Sequence, residues 1–418
     1  VKRHEAPERA IRIAIDIRKI NEFGIGSYIW NLIRNIASID HENQYLLMGS
    51  RRNFYELGPL PPNFRPFYTQ ASTFWQDHGA LPFALRRNGV DVLHVPHHEA
   101  PLWAPARLLV TVHDCAHLLF PSASASKFQR LRNFWRTAQV VRRASHILAV
   151  SNSTKDDLVS IFNVDPGRIS VIYNALDDRF ARRSLADDHA AVLERYQIKE
   201  PFVLYAGRIR FHKNVHRLIE AFAVLKSDLA GHAQYGSLKL VIIGDELSRR
   251  QYLRLKVVQS GVQQDVRFFG SVPAPTLRVF YQSAALFAFP SLYEGFGLPP
   301  LEAMANRAPV LASNSSSLPE VLEDAALLVN PENVFEIARG MKTILIDKEM
   351  RENLIEKGLV QVSKFSWLAA AEQVVQAYRR IASPRRAADR SSHATEDSRN
   401  MVKEPASSTD SQGEHLQT

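Results

Sequence analysis

The sequence predicts an α/β protein built from two doubly wound parallel sheets. Short β-branched and apolar runs alternate with stretches of helical periodicity, one polar segment at 177–199 interrupts the alternation, and 418 residues are enough for two hydrophobic cores. Strands separated by helices pair in parallel, because a crossover long enough to hold a helix returns the chain to the same end of the sheet.

In chain order the first series opens with IRIAIDI at 11–17, followed by helical spacing of apolar residues through 27–37 and by QYLLM at 44–48. DVLHV at 91–95, RLLVTV at 107–112, a helical segment at 127–143, HILAV at 146–150 and RISVIY at 168–173 continue it. The second series runs FVLYAG at 202–207, KLVIIG at 239–244, VRFFG at 266–270, ALFAFP at 285–290, APVLAS at 308–313 and ALLVN at 326–330. A last amphipathic stretch starts at Ser366 and Trp367 and ends near Arg380, and from Ser383 almost no apolar residues remain to offset the entropy of ordering. The expected organisation is a disordered N-terminus at 1–10, a first domain at 11–195, a second domain at 196–366, a final helix at 367–382 and a disordered tail at 383–418.

Composition narrows the class. With 45% hydrophobic and 23% charged residues the chain is neither fibrous nor disulfide-rich. Cys115 is the only cysteine, which rules out an intramolecular disulfide and favours a reducing compartment, so a cytoplasmic location is expected. A spanning helix needs roughly 18 apolar residues in a row, and the most apolar stretch, 108–120, is broken by His113 and Asp114. The first ten residues are too polar for the core of a signal peptide. The net charge of +9 suits phosphates or an anionic membrane face; no zinc knuckle, basic zipper or RNA-binding aromatic motif is present, so nucleic acid is not expected.

Two such domains in tandem place the carboxyl ends of their strands around a cleft, and four clusters fall at those ends. The most informative is SLYEGFGLPPLEAMANRAPVLASN, 291–314, with the order strand, turn, helix. Prolines 299 and 300 suit a first helical turn, and the G-F-G run ahead of them leaves backbone amides open to an anion at the positive end of the helix dipole. Glu294 and Glu302 bracket that turn with seven residues between them. Two readings stay open here: a phosphate site flanked by two carboxylates with different tasks, or a capped helix start in which Ser291 and Glu294 form an S-x-x-E box and Glu302 complements the dipole.

The second cluster, YAGRIRFHKN at 205–214, places Arg208 and Lys213 five apart across a turn, which reads either as a pair that would neutralise a departing diphosphate or, taken alone, as a solvated basic turn; Arg210 and His212 read as solvated. The third, EFGIGSY at 22–28, holds Gly24 and Gly26 where a strand leads into a helix, although a lone G-x-G ordinarily marks only a turn. In the fourth, VTVHDCAHLLFP at 110–121, His113 and Asp114 are adjacent on an extended chain, point opposite ways and need not pair; a buried histidine with a backbone partner is the alternative for His113, and Cys115 reads as packing. Nearby, His94, His97, His98 and Glu99 cluster without the spacing of a metal site, and no D-x-D pair follows a strand.

The 291–314 segment resembles the E-x7-E signature of retaining family 4 glycosyltransferases, which have the GT-B fold of two Rossmann-like domains, and the resemblance extends over roughly residues 11–382; it implies that 11–195 is the acceptor domain, that 196–366 is the donor-binding domain and that the helix at 367–382 crosses back to the first domain. It implies that Glu294 contacts the transferred sugar and Glu302 the ribose, that Gly295, Phe296, Gly297 and Leu298 supply the amides for sugar and phosphate, that Arg208 and Lys213 bind the diphosphate, that Gly24 and Gly26 approach the donor, that His113 is the cleft histidine touching the donor sugar, and that the 94–101 loop lines the acceptor side. One departure is AMANRAPV, where the family usually has glycine at Arg307 or Asn306.

The resulting expectation is a metal-independent, retaining hexosyltransferase with no cofactor beyond its co-substrate, a nucleotide diphosphate sugar. GDP-mannose is favoured through the likeness to bacterial mannosyltransferases, with UDP-glucose close behind. The acceptor is expected to be a glycan or lipid-linked glycan of cell-surface polysaccharide synthesis. The rivals are a nucleotide-sugar epimerase or glycan phosphorylase on the same fold and a non-catalytic sugar or membrane-binding protein. A peripheral contact with an anionic inner membrane face is also expected from 127–143, where Phe128, Leu131 and Trp135 share a helical face among arginines; the alternative is that this face lies in the first core.

Overall fold

A computed structural model describes residues 9–22, 24–69, 79–97, 99–101, 103–121, 125–181, 186–244 and 251–383. The ends read as disordered lie, at 1–8 and 384–418, outside the described residues, as does His98.

Seven parallel strands form the first sheet: β1 (Arg12–Asp16), β2 (Gln44–Gly49), β3 (Phe64–Tyr68), β4 (Val92–Val95), β5 (Arg107–Val112), β6 (His146–Ala149) and β7 (Ile169–Val171), in the order β3-β2-β1-β4-β5-β6-β7. Six more form the second: β8 (Phe202–Ala206), β9 (Lys239–Ile243), β10 (Val266–Phe269), β11 (Leu286–Phe289), β12 (Val310–Ser313) and β13 (Leu327–Val329), in the order β10-β9-β8-β11-β12-β13. Ile13 pairs with Tyr45 on one side and Val92 on the other; Val203 likewise pairs with Leu240 and Leu286. Strand order therefore reverses beside β1 and beside β8, which opens a crevice at the carboxyl end of each sheet. Strand β3 is the one the sequence reading missed: FRPFY carries a proline and an arginine, and its place at the sheet edge, where one side needs no ladder bond, makes both acceptable.

The central strands are buried along their whole length, as sheets covered on both faces require. The last helix, Trp367–Ala382, buries Trp367, Ala371, Val374 and Tyr378 in the core of the first sheet together with Ile29 and Ile33 of the helix Ile25–Ile39. Its Tyr378 hydroxyl lies 2.7 Å from Nδ1 of His94, whose Nε2 is 2.9 Å from the Thr111 hydroxyl. Burial pushes His94 down to about 3, so it is a neutral core histidine that joins two strands to this helix.

The helix at 127–143 forms over Lys127–Arg143 behind a Ser126/Gln129 capping box. The alternative that its apolar face lies in the core is overturned. The buried residues Thr137, Ala138, Val140 and Val141 belong to the carboxyl half, whereas Phe128, Leu131 and Trp135 are 73%, 54% and 52% exposed.

Candidate active site

Every cluster singled out in the sequence sits at the carboxyl end of a parallel strand: Gly24 after β1, His113 after β5, Arg208 to Lys213 after β8 and Glu294 after β11. Strands β8 and β11 are neighbours at the point where the second sheet changes direction, so their loops meet. There Lys213 Nζ donates to Glu294 Oε2 at 2.6 Å, and the two side chains are only 18% and 8% exposed. The other carboxylate oxygen, Oε1, is buried and has no hydrogen-bond partner among the described residues. A buried carboxylate with one oxygen idle is costly unless a ligand hydroxyl completes it.

The capping-box alternative fails. The helix Leu298–Ala305 begins at Gly297, whose φ of +103° suits glycine, and no side chain caps it. Pro299 and Pro300 lack N–H groups, so the first turn offers Leu298 but not the next two residues as donors. Glu294 is positioned instead by serines after β12. Its amide donates to the Ser316 hydroxyl at 2.8 Å, and the Ser317 hydroxyl lies 3.0 Å from the carbonyls of both Glu294 and Phe296. Ser313 holds the Ser291 carbonyl in the same way. Ser316 has a left-handed backbone, φ +52°, unusual for a residue other than glycine. Sequence reasoning passed over this N-S-S-S run, although its place after a strand was the available signal.

The glycines have different reasons. A Cβ on Gly295 would lie 1.7 Å from the His113 carbonyl oxygen, so this residue lets the second domain's turn meet the first domain. A Cβ on Gly26 would lie 2.0 Å from the Ile20 carbonyl, and the Gly26 amide is spent on Glu22, so Gly26 serves local packing. Gly24, with φ +84° and nothing within 4 Å of the Cβ position, is the one with open space. The Phe296 side chain is buried near Tyr173 and Phe365, which leaves only its backbone for a ligand.

Glu302 is half-buried in the helix that follows and accepts from the Tyr281 hydroxyl at 2.9 Å. Burial raises it to about 7, against the opposing effect of that hydrogen bond. His113 is pushed down to about 4 by burial, and its Nε2 lies 3.1 Å from the Pro96 carbonyl, so it is a neutral imidazole with a backbone partner. Arg208 is exposed. His212 is not solvated as read: it is half-buried, its ring is 5.6 Å from Phe120 of the first domain, and burial together with Lys213 pushes it down to about 4. His97 sits 3.4 Å from Asp16, where burial opposes the charge but the neighbouring His97 and the hydrogen bonds from Arg18 outweigh it and hold the carboxyl well below its usual range. The helix Leu298–Ala305 closes as a Schellman motif, Arg307 N–H to Met304 and Ala308 N–H to Ala303, with Arg307 left-handed at φ +63°, where glycine would be less strained.

Residues 24–180 match the model of glycosyltransferase family 4, and residues 193–361 that of the group 1 glycosyl transferases. The chain belongs to the family 4 glycosyltransferases. Among relatives of this glycosyltransferase, O-antigen chain mannosyltransferase B of Escherichia coli is 28% identical over 85% of this chain and 96% of its own. O-antigen chain mannosyltransferase RfbU of Salmonella typhimurium is 26% identical over 79% and 90%. The solved structure of Anabaena Alr3699/HepE in complex with UDP and glucose superposes with a TM-score of 0.69 at 18% identity, over 88% of this chain and 99% of that one, which shows the GT-B fold.

Proposed function

We propose that this glycosyltransferase moves mannose, with retention and without a metal ion, from GDP-mannose to a glycan or lipid-linked acceptor of cell-surface polysaccharide. The Lys213–Glu294 pair carries the reading: an ammonium at the strand end where a diphosphate would leave, holding a carboxylate whose other oxygen has no donor among the described residues. Arg208 and the Gly295 to Leu298 backbone add donors for the leaving group, Glu294 orients the sugar, and Glu302 holds ribose. The printed names of the O-antigen relatives support mannose over glucose. No side chain is assigned as nucleophile; the acceptor would attack on the face the leaving group vacates, with the donor phosphate taking its proton. The test is release of nucleoside diphosphate from a panel of nucleotide sugars, with and without lipid-linked acceptors and in EDTA. The expected result is acceptor-dependent GDP release that EDTA leaves unchanged, with an α-linked product by NMR. Release only from UDP-glucose overturns the donor, and loss on chelation overturns the metal-free route.

The same enzyme is proposed to work at an anionic membrane face. Among the described residues no helix is long and apolar enough to cross a membrane. Exposed Phe128, Leu131 and Trp135 stand among Lys127, Arg130, Arg132 and Arg136, all exposed, and each basic residue near an anionic surface contributes about 1 kcal/mol. Co-sedimentation with vesicles containing anionic lipid is expected to fall with salt and with Trp135→Ala; binding indifferent to both removes the proposal.

A further inference from the structure

The turn that carries Glu294 is held from the opposite domain. On one side of Glu294, the Tyr293 hydroxyl donates to Asp157 Oδ2 at 2.6 Å and accepts from the Cys115 amide at 2.9 Å. On the other, the Gly295 carbonyl accepts from the Ser151 hydroxyl at 2.7 Å and lies 3.3 Å from that of Thr154. Ser151, Thr154 and Asp157 belong to the amino-terminal turns of one first-domain helix, Asn152–Phe162, which Ser151 also caps through the Thr154 amide at 3.0 Å. Ser151 and Thr154 are fully buried.

A second-domain carboxylate closes the same junction. Glu320, in the short helix Leu318–Leu322, accepts at Oε1 from the Asn152 amide, the Asn152 side chain and the Tyr173 hydroxyl, each at 2.8 Å, and at Oε2 from the Ser153 amide at 3.2 Å. The Asn152 and Ser153 amides are among those a helix leaves unpaired at its start, and a negative charge is favoured there by the helix dipole. This carboxylate therefore binds the two domains together, next to the turn on which Glu294 rides.

We propose that the amino end of the helix Asn152–Phe162 is a positioning element for transfer: Ser151 and Asp157 orient the Glu294 turn across the cleft, and Glu320 is the clasp that keeps the two domains engaged while they do so. The inference rests on the reading that Glu294 contacts the transferred sugar. It assigns to Glu320, Ser151, Asp157 and Tyr293 no contact with the reacting atoms. They act through one carboxylate, so domain closure and the setting of Glu294 are the same event.

Steady-state kinetics of Glu320→Gln and Tyr293→Phe test it, with circular dichroism melts as the folding control. Each variant is expected to lower kcat about tenfold or more while the donor KM stays within about threefold, the signature of lost orientation in the transition state. In a Glu294→Ala background, assayed at raised enzyme concentration, neither substitution should cost more than about twofold further, because groups that act through a shared partner are not additive. Losses that multiply in that background, or an unchanged kcat in both variants, overturn the proposal. Glu294→Ala alone tests the reading beneath it. If that variant turns over like the parent, the sugar contact fails while the clasp is still measurable: small-angle scattering of donor-free Glu320→Ala shows an expanded particle if Glu320 engages the domains and an unchanged one if it does not.

Discussion

Lys213→Ala is expected to lower transfer by roughly 100- to 1,000-fold, the range seen when one donor to a developing anion is removed. Two effects add here. The ammonium is the partly buried cation at the end of β8, and its loss removes charge from the leaving diphosphate. It also strands Glu294, which is 8% exposed and whose Oε1 already lacks a partner, without the one ion pair it makes among the described residues. Breaking a buried pair from one side costs about 3–5 kcal/mol, so part of the loss will appear as lower stability and melting curves must accompany the rates. Arg208 is exposed, and Arg208→Ala should cost less, about 1.5–3 kcal/mol as for a charged hydrogen bond. Lys213→Arg is not expected to restore the parent rate, since a planar fork does not reproduce a compact ammonium at 2.6 Å. A Lys213→Ala enzyme that is folded and within about tenfold of the parent would show that this pair is structural.

The fold was legible because its strands are short and apolar, the central ones buried along their whole length, and because most of the helices between them carry clear periodicity. The exception, β3, lies at an edge, where Pro66 is tolerated and the apolar signal is diluted by Arg65. At the site, sequence order was enough to bring Lys213 and Glu294 to neighbouring strand ends, since parallel strands leave all their carboxyl ends on one side. The reason for each glycine was not legible. Gly26 and Gly295 are small because a Cβ at either would run into a carbonyl oxygen, that of Ile20 in the preceding turn in one case and that of His113 in the other domain in the other, and the residue types around them do not announce such a contact. The clasp was hidden for the same reason. Glu320 lies 168 residues from Asn152, and in sequence it reads as an acidic residue in the first turn of a short helix. Only the folded chain shows that the helix end it satisfies belongs to the other domain.

Glu302 gives the enzyme a pH dependence whose sign can be worked out. Burial raises its folded value to about 7 from an ordinary 4.5, so between those values the folded state keeps a proton that the unfolded chain has released. Its contribution to stability is fully present below about pH 4.5 and is lost as pH rises through about 7; above that the half-buried carboxylate is a burden of about 1–3 kcal/mol. Glu302→Gln should therefore melt higher than the parent at pH 8 and alike at pH 5. Donor binding should move the opposite way. Ribose hydroxyls donate, and a carboxylate accepts from both while a protonated acid competes with them, so binding selects the ionised form. Affinity should rise about tenfold per unit as pH approaches 7 from below and then level off. Titration of nucleoside diphosphate against parent and Glu302→Gln from pH 5.5 to 8.5 separates this from the ligand's own phosphate ionisation, which both proteins share. The variant should bind more weakly above pH 7 and lose most of the slope below it. Identical profiles for the two proteins would mean that Glu302 does not meet the ribose, and that its bond to Tyr281 is a structural one.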